Sequence, residues 1–305
     1  MGSVSFKHRI EYLALLFVAT IVRRLPRKAA LNLGRILGRL GMKLLPGRYR
    51  QAKENMSRAL PELSHEDLES NLRKCFEHFG ICSVEMLRLD FFKSDNDDIH
   101  NYIDITGSTF LEKAMALDRG VILLTCHLGF WELGACIPAV LGVPVDIVAK
   151  PLKNPLTDVY FEKIRKTFGA DILSSRKGAK RILKSLRAKR IVGILLDQHI
   201  SPPGSVATDF FGRQAYTTTA IANLAMKYQV PVVPIFCLRK PDDCYDVWFE
   251  PMLLLDEDEK QSVESNTQRF TDIIESAIRR DVTQWFWMHK RWRVKTDKVK
   301  GNTSE

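Results

Sequence analysis

The chain has 305 residues, 45% of them hydrophobic, enough for one large domain or a domain with an appendage. Its net charge of +10 is confined to the start: residues 1–60 carry 13 Lys/Arg against Glu11 and Glu54, a balance of +11, and the rest balances at −1. Six cysteines without a CxxC pair exclude a disulfide framework and a zinc site, and read as small core residues in a reducing compartment.

A localised positive segment asks for an anionic partner: nucleic acid, membrane lipid or an acidic protein. Tyr12 to Val22 is an uncharged apolar run of 11 residues between Glu11 and Arg23-Arg24. A spanning helix needs about 20 apolar residues. No small-residue cleavage site precedes the double arginine, so the run does not read as a cleaved signal peptide. A helix partly embedded in the bilayer with cationic flanks fits better. From Lys28 to Leu45, leucines alternate with Arg35, Arg39 and Lys43 in a basic amphipathic pattern. Gly34, Gly38 and Gly41 leave one narrow strip bare for close packing of another helix or of the membrane anchor. Ser64-x-x-Asp67 resembles a capping box opening a helix through about Arg88. The organisation is therefore a membrane-associating arm over 1–60, an α/β domain over 61–295 and a loose polar tail over 296–305.

From about residue 103, short apolar runs alternate with helical patterns. Expected strands are 120–126, 145–149, 171–173, 191–196, 231–237 and 246–250; expected helices are 132–141, 155–168, 177–188, 218–228 and 262–279. The fold class is α/β, with a mainly parallel central sheet flanked by helices. Chemistry in such folds gathers at the carboxyl ends of strands. His127 lies there, with Glu132 five residues on in the first turn of the next helix, and Gly129 allows the intervening turn. An imidazole oriented by a carboxylate is a general base for a hydroxyl nucleophile, which suits acyl transfer to an alcohol. The N-terminus of that helix would offer N–H groups to a developing oxyanion. Asp197 and Gln198 follow another strand, with Gln198 a candidate polar contact to substrate. Arg165 is placed to bind a phosphate or polarise a thioester carbonyl. Arg176 and Lys177 open a helix that could face the same cleft. Phe210-Phe211-Gly212, followed by Thr217, reads as a loop leading into a helix, with the two rings lining an acyl groove and the hydroxyl facing a phosphate. Gln284 to Arg293 interleaves tryptophans with cations, as at a membrane interface.

His127-Leu128-Gly129-Phe130-Trp131-Glu132 resembles the H-x4-D/E motif of the lysophospholipid acyltransferase superfamily, in the H-x-G-x-W-E form of the late lipid A acyltransferases and of related phosphatidylinositol mannoside acyltransferases. Further resemblances run in order along the chain: Asn55 to Glu62, Lys150 to Pro155, Arg165 before Gly169, Leu195 to Gln198, Phe210 to Gly212 with Thr217, and Gln284 to Trp292. The resemblance implies a glycerolipid-acyltransferase-like fold and an acidic residue at Asp197 within reach of His127, so that either Glu132 or Asp197 orients the imidazole. It implies acyl-acyl carrier protein as donor and a Kdo-bearing lipid A precursor, a lipid-linked sugar, as acceptor. The place of action would be the cytoplasmic face of the inner membrane, at an anionic surface and without nucleic acid. No cofactor and no metal are expected. The alternatives are acylation of a phosphatidylinositol mannoside or a phospholipid, and a non-catalytic lipid-binding protein. Glycerol-phosphate acyltransferases are disfavoured by the absence of an FPEGTR-like loop, and a serine esterase by the absence of G-x-S-x-G.

Overall fold

The structure is a computed structural model that describes residues 4–92, 101–167, 169–175, 178–255 and 262–293. Arg176, Lys177 and the tail 296–305 lie outside the described residues.

Four helices come first: α1 (Phe6–Arg24), α2 (Arg27–Leu44), α3 (Pro46–Ala59) and α4 (His65–Met86). Each boundary has a local cause. Ser5 caps α1, Pro26 separates α1 from α2, Pro46 starts α3, and the Ser64 hydroxyl accepts the Asp67 N–H at the head of α4. Then follow β1 (Ile103–Thr106), α5 (Ser108–Met115), β2 (Val121–Thr125), α6 (Trp131–Val140), β3 (Val145–Ala149), α7 (Pro155–Lys166), β4 (Ala170–Ser174), α8 (Gly178–Arg187) and β5 (Ile191–Leu195). The chain continues through β6 (Ser205–Phe210), β7 (Arg213–Thr218), α9 (Ala220–Tyr228), β8 (Val232–Arg239), β9 (Tyr245–Phe249) and α10 (Val263–Arg280).

Seven strands form one sheet in the order β1-β9-β8-β2-β5-β3-β4, parallel except where β8 meets β9. Period-2 alternation divides the core. Ile122 and Leu124 of β2, with Cys126 beyond it, face α3, α4, α9 and α10, whereas Val121 and Leu123 face α5, α6 and α7. Both faces being covered explains why β2 reads as an unbroken apolar run.

One expectation fails locally. The segment around Phe210 is not a loop into a helix: β6 and β7 pair as an antiparallel hairpin whose tip carries Phe211 and Gly212, both at positive φ. Phe210 and Phe211 are buried against Trp285 at ring separations of 5.5 and 6.4 Å, and that burial holds the hairpin down. The C-terminal aromatic segment is likewise not an outward-facing interface. Trp285 and Trp287 are buried, and Arg291 is buried with them, donating to the Tyr216 carbonyl and the Thr217 hydroxyl. Large rings near the carboxyl edge of the sheet gain more from filling the core than from solvent.

The bare strip of α2 meets α4. A β-carbon at Gly38 would lie 2.2 Å from the Phe76 carbonyl oxygen, and one at Gly80 would lie 2.1 Å from that of Gly34, so these backbones touch. Gly41 faces open space. Buried Glu85 of α4 ties the layers together: it accepts from Arg27 of α2 (2.9 Å), from Arg239 of β8 (2.6 Å) and from the Tyr245 hydroxyl of β9.

Candidate active site

In the parallel β2–β5 pair Thr125 lies opposite Leu195, and the Leu196 N–H donates to the Thr125 carbonyl (3.0 Å). Two residues past each strand end stand His127 and Asp197, so the register brings them face to face. His127 Nδ1 is 2.8 Å from Asp197 Oδ1, and the His127 backbone N–H donates to Oδ2 at 3.0 Å. The Trp285 indole N–H also donates to Oδ2, at 2.8 Å. Burial by itself would push the Asp197 carboxyl up; the adjacent imidazole and these hydrogen bonds outweigh it and hold the group at about 2. An ionised Asp197 accepts from Nδ1–H and leaves Nε2 as the acceptor nitrogen. The Gln198 amide, 3.1 Å from Nε2, is placed to donate to it. The imidazole is only partly buried, its ring between Trp131 (5.3 Å) and Phe286 (6.2 Å).

Glu132 is turned elsewhere. Its carboxylate takes Nε and Nη2 of Arg165 at 2.8 and 2.7 Å, a two-pronged pair linking α6 to α7. Burial works against the Arg165 charge, but the Glu132 partner prevails and raises its pKa. Of the two carboxylates flanking His127 in the sequence reading, Asp197 touches the imidazole and Glu132 holds Arg165.

The His127 loop is clamped by the C-terminal segment. Gly129 N–H donates to the Gln284 carbonyl (2.9 Å), and the Phe286 N–H donates to the His127 carbonyl (3.1 Å). Gly129 has φ +58°, and a β-carbon there would sit 1.7 Å from the Cys237 carbonyl oxygen, so both its conformation and its surroundings require glycine. Its N–H is engaged. The N–H groups of Trp131 and Glu132, at the start of α6, have no backbone partner among the described residues.

Phe210, Phe211 and Thr217 stand behind this centre. The rings pack on Trp285, and the Thr217 hydroxyl is shared between Arg291 (2.5 Å) and Thr208 (2.7 Å). Trp285 is the participant that sequence reading placed at a membrane interface. Nothing local in Gln284 to Arg293 signals that one indole N–H points inward to a carboxylate 88 positions away.

The sequence profile of the bacterial lipid A biosynthesis acyltransferases matches residues 2–294. The lipid A biosynthesis lauroyltransferase of Escherichia coli (strain K12) is 26% identical over 287 residues, 92% of this chain and 91% of that protein. The lipid A biosynthesis palmitoleoyltransferase of the same organism is 24% identical over 275 residues, 89% and 87% of the two chains. A lipid A biosynthesis acyltransferase of Haemophilus influenzae (strain ATCC 51907 / DSM 11121 / KW20 / Rd) is 24% identical over 289 residues, 93% and 86%. A match that runs from the first helix through the tryptophan segment, over a fold whose strand ends present His127 and Asp197, makes this chain a member of the bacterial lipid A biosynthesis acyltransferases, and hence an acyltransferase.

Proposed function

We propose that the chain moves a fatty acyl group from an acyl-acyl carrier protein thioester to a hydroxyl of a Kdo-bearing lipid A precursor, with His127 as general base. The observation that carries this reading is the Asp197–His127 pair at 2.8 Å, with Nε2 left as acceptor. In this scheme the acceptor hydroxyl takes the place of the Gln198 amide and gives its proton to Nε2 as its oxygen attacks the thioester carbonyl. Asp197 fixes the tautomer and stabilises the imidazolium. The N–H groups of Trp131 and Glu132 at the head of α6 face the tetrahedral oxyanion. Collapse breaks the carbon–sulfur bond, and the imidazolium returns the proton to the leaving thiolate. Arg165, neutralised by Glu132, acts in this reading by fixing α6 against α7.

The reaction is placed at the cytoplasmic face of the inner membrane, reached through the N-terminal helices. Among the described residues no helix is long and apolar enough to cross a membrane. Instead Phe6, Ile10, Leu13 and Phe17 form one exposed stripe along α1 (79, 53, 64 and 68% exposed). Ile36, Leu37, Leu40 and Leu44 of α2 are exposed as well. Such a surface suits a helix lying in the head-group layer, with the surplus cations of residues 1–60 on anionic lipid.

The test is an assay with labelled acyl-acyl carrier protein and the lipid A precursor, comparing wild type with His127→Ala. Wild type should yield a more apolar product, and the variant should be slower by about 100-fold or more. Equal rates would remove His127 from the chemistry, and no product with either protein would remove this donor–acceptor pair.

A further inference from the structure

β2 pairs with β8 from Ile122 to Leu124, opposite Val232 to Pro234. Beyond Thr125 the chain turns away to His127, while β8 continues to Arg239. The far end of β8 has β9 on one side, where Arg239 stands opposite Tyr245. On the side that β2 has left, the backbone groups of Cys237 and Arg239 still need partners. The Cys237 carbonyl accepts the Phe130 N–H at 3.2 Å. Arg239 is met by a side chain. Oε1 of Gln284 accepts the Arg239 N–H at 2.9 Å, and Nε2 donates to the Arg239 carbonyl at 2.8 Å. The carboxamide stands in for a peptide group of the absent strand. Its second N–H donates to Asp281 Oδ2 at 2.8 Å, so both amide hydrogens are used in a buried residue. Arg239 is itself a fixed post, its guanidinium donating to buried Glu85 at 2.6 Å.

The main chain of Gln284 begins the strap over the catalytic loop. Its carbonyl accepts the Gly129 N–H at 2.9 Å, Leu128 and Trp285 form an antiparallel bridge, and the Phe286 N–H donates to the His127 carbonyl at 3.1 Å. Trp285, the next residue, sends its indole N–H to Asp197 at 2.8 Å. One residue is thus anchored on β8 by its side chain and on the His127 loop by its backbone. A slip of one residue would turn Trp285 to the opposite face and take its N–H from Asp197.

We propose that Gln284 is a positioning residue for acyl transfer: its carboxamide sets the register of the strap, and so holds the His127 loop and aims the Trp285 N–H at Asp197. The kinetic consequence rests on the reading of His127 as general base; the register does not.

The experiment uses the full chain with nitrogen-15 in its tryptophans and histidines. Q284M removes every hydrogen bond of the amide at similar length. Q284E keeps an acceptor for the Arg239 N–H and loses both donors. Q284M should lower kcat at least tenfold with KM for both substrates within twofold, and should shift the Trp285 indole and His127 imidazole resonances. Q284E should do both to a lesser extent. Because Gln284 acts in part through Trp285, Q284M combined with W285F should lose less than the product of the two separate losses. If Q284M does not fold, Q284E with W285F carries the same comparison. Unshifted resonances, or losses that multiply, would overturn the proposal. Shifted resonances in a protein whose His127→Ala variant keeps full activity would uphold the register and sink His127 as the base.

Discussion

Asp197 receives three hydrogen bonds at one carboxylate, two from His127 and one from Trp285, and this sets what each substitution should do. In Asp197→Asn the amide can donate to Nδ1, which favours the tautomer with its proton on Nε2; that nitrogen then cannot accept from a hydroxyl. A fall in kcat of about 10²–10⁴-fold is expected, with nitrogen-15 spectra of His127 reporting the exchanged tautomer. Unchanged kcat would mean that the pair is structural. Trp285→Phe keeps most of the ring volume and removes the N–H. A hydrogen bond to a charged group contributes about 1.5–3 kcal/mol, so kcat should drop by about tenfold or more while KM stays level. The His127–Asp197 contact could not be read locally, because its partners are 70 residues apart and meet only through the β2–β5 register. Glu132 is near His127 in sequence and is nonetheless drawn away, because Arg165 offers it two parallel hydrogen bonds.

At the scale of elements, α2 and α4 are held together by missing side chains. Gly38→Ala forces a methyl group into the Phe76 carbonyl, and separating the helices should cost about 1–3 kcal/mol or more in denaturant unfolding. Gly41→Ala faces open space and should be neutral or stabilising by up to about 1 kcal/mol, which makes it the internal control. Equal effects at both positions would refute the close-packing account. On α1 the outward stripe carries the membrane reading. Leu13→Glu with Phe17→Glu removes two apolar side chains that would each contribute about 1.5–3 kcal/mol on burial. Binding to anionic vesicles should weaken by at least about tenfold, with turnover of a detergent-dispersed acceptor retained. Unaltered vesicle binding would exclude α1 as the contact.

For the molecule as a whole, buried imidazoles set the response to acid. His78 lies within the core of α4; burial first, and then the Arg239 charge, lower it to about 3. Burial also lowers His289, to about 4. Both groups bind protons more readily when unfolded, near the ordinary value of 6.5, so their contribution to stability is complete above pH 6.5 and fades as pH falls toward 4 and 3. Asp197 adds a second phase. Its folded carboxyl, at about 2 against 3.8, stabilises the fold above pH 4 and loses that contribution between about 4 and 2. Unfolding free energy measured against pH should therefore begin to decline below 6.5, and His78→Leu should flatten the decline between 6.5 and 4. A curve flat to pH 4 in wild type would contradict the buried neutral state of His78.

Much of this protein is legible along the chain by itself. The apolar runs from 121 to 125 and from 191 to 195 declare strands, because strands covered on both faces must be apolar throughout. Ser64 with Asp67 three residues on marks the start of α4, because its hydroxyl satisfies a free N–H of the first turn. His127 stands out because it follows such a strand. Tertiary structure decided the rest. The β6–β7 hairpin mixes polar and apolar residues, and only packing against Trp285 gives it an inner face. The tryptophans turned inward, Asp197 rather than Glu132 met the imidazole, and Glu132 met Arg165. Local pattern records which backbone torsions and which face a residue prefers. The partner of a buried charge is fixed by which strands lie side by side, and that is a property of the assembled sheet.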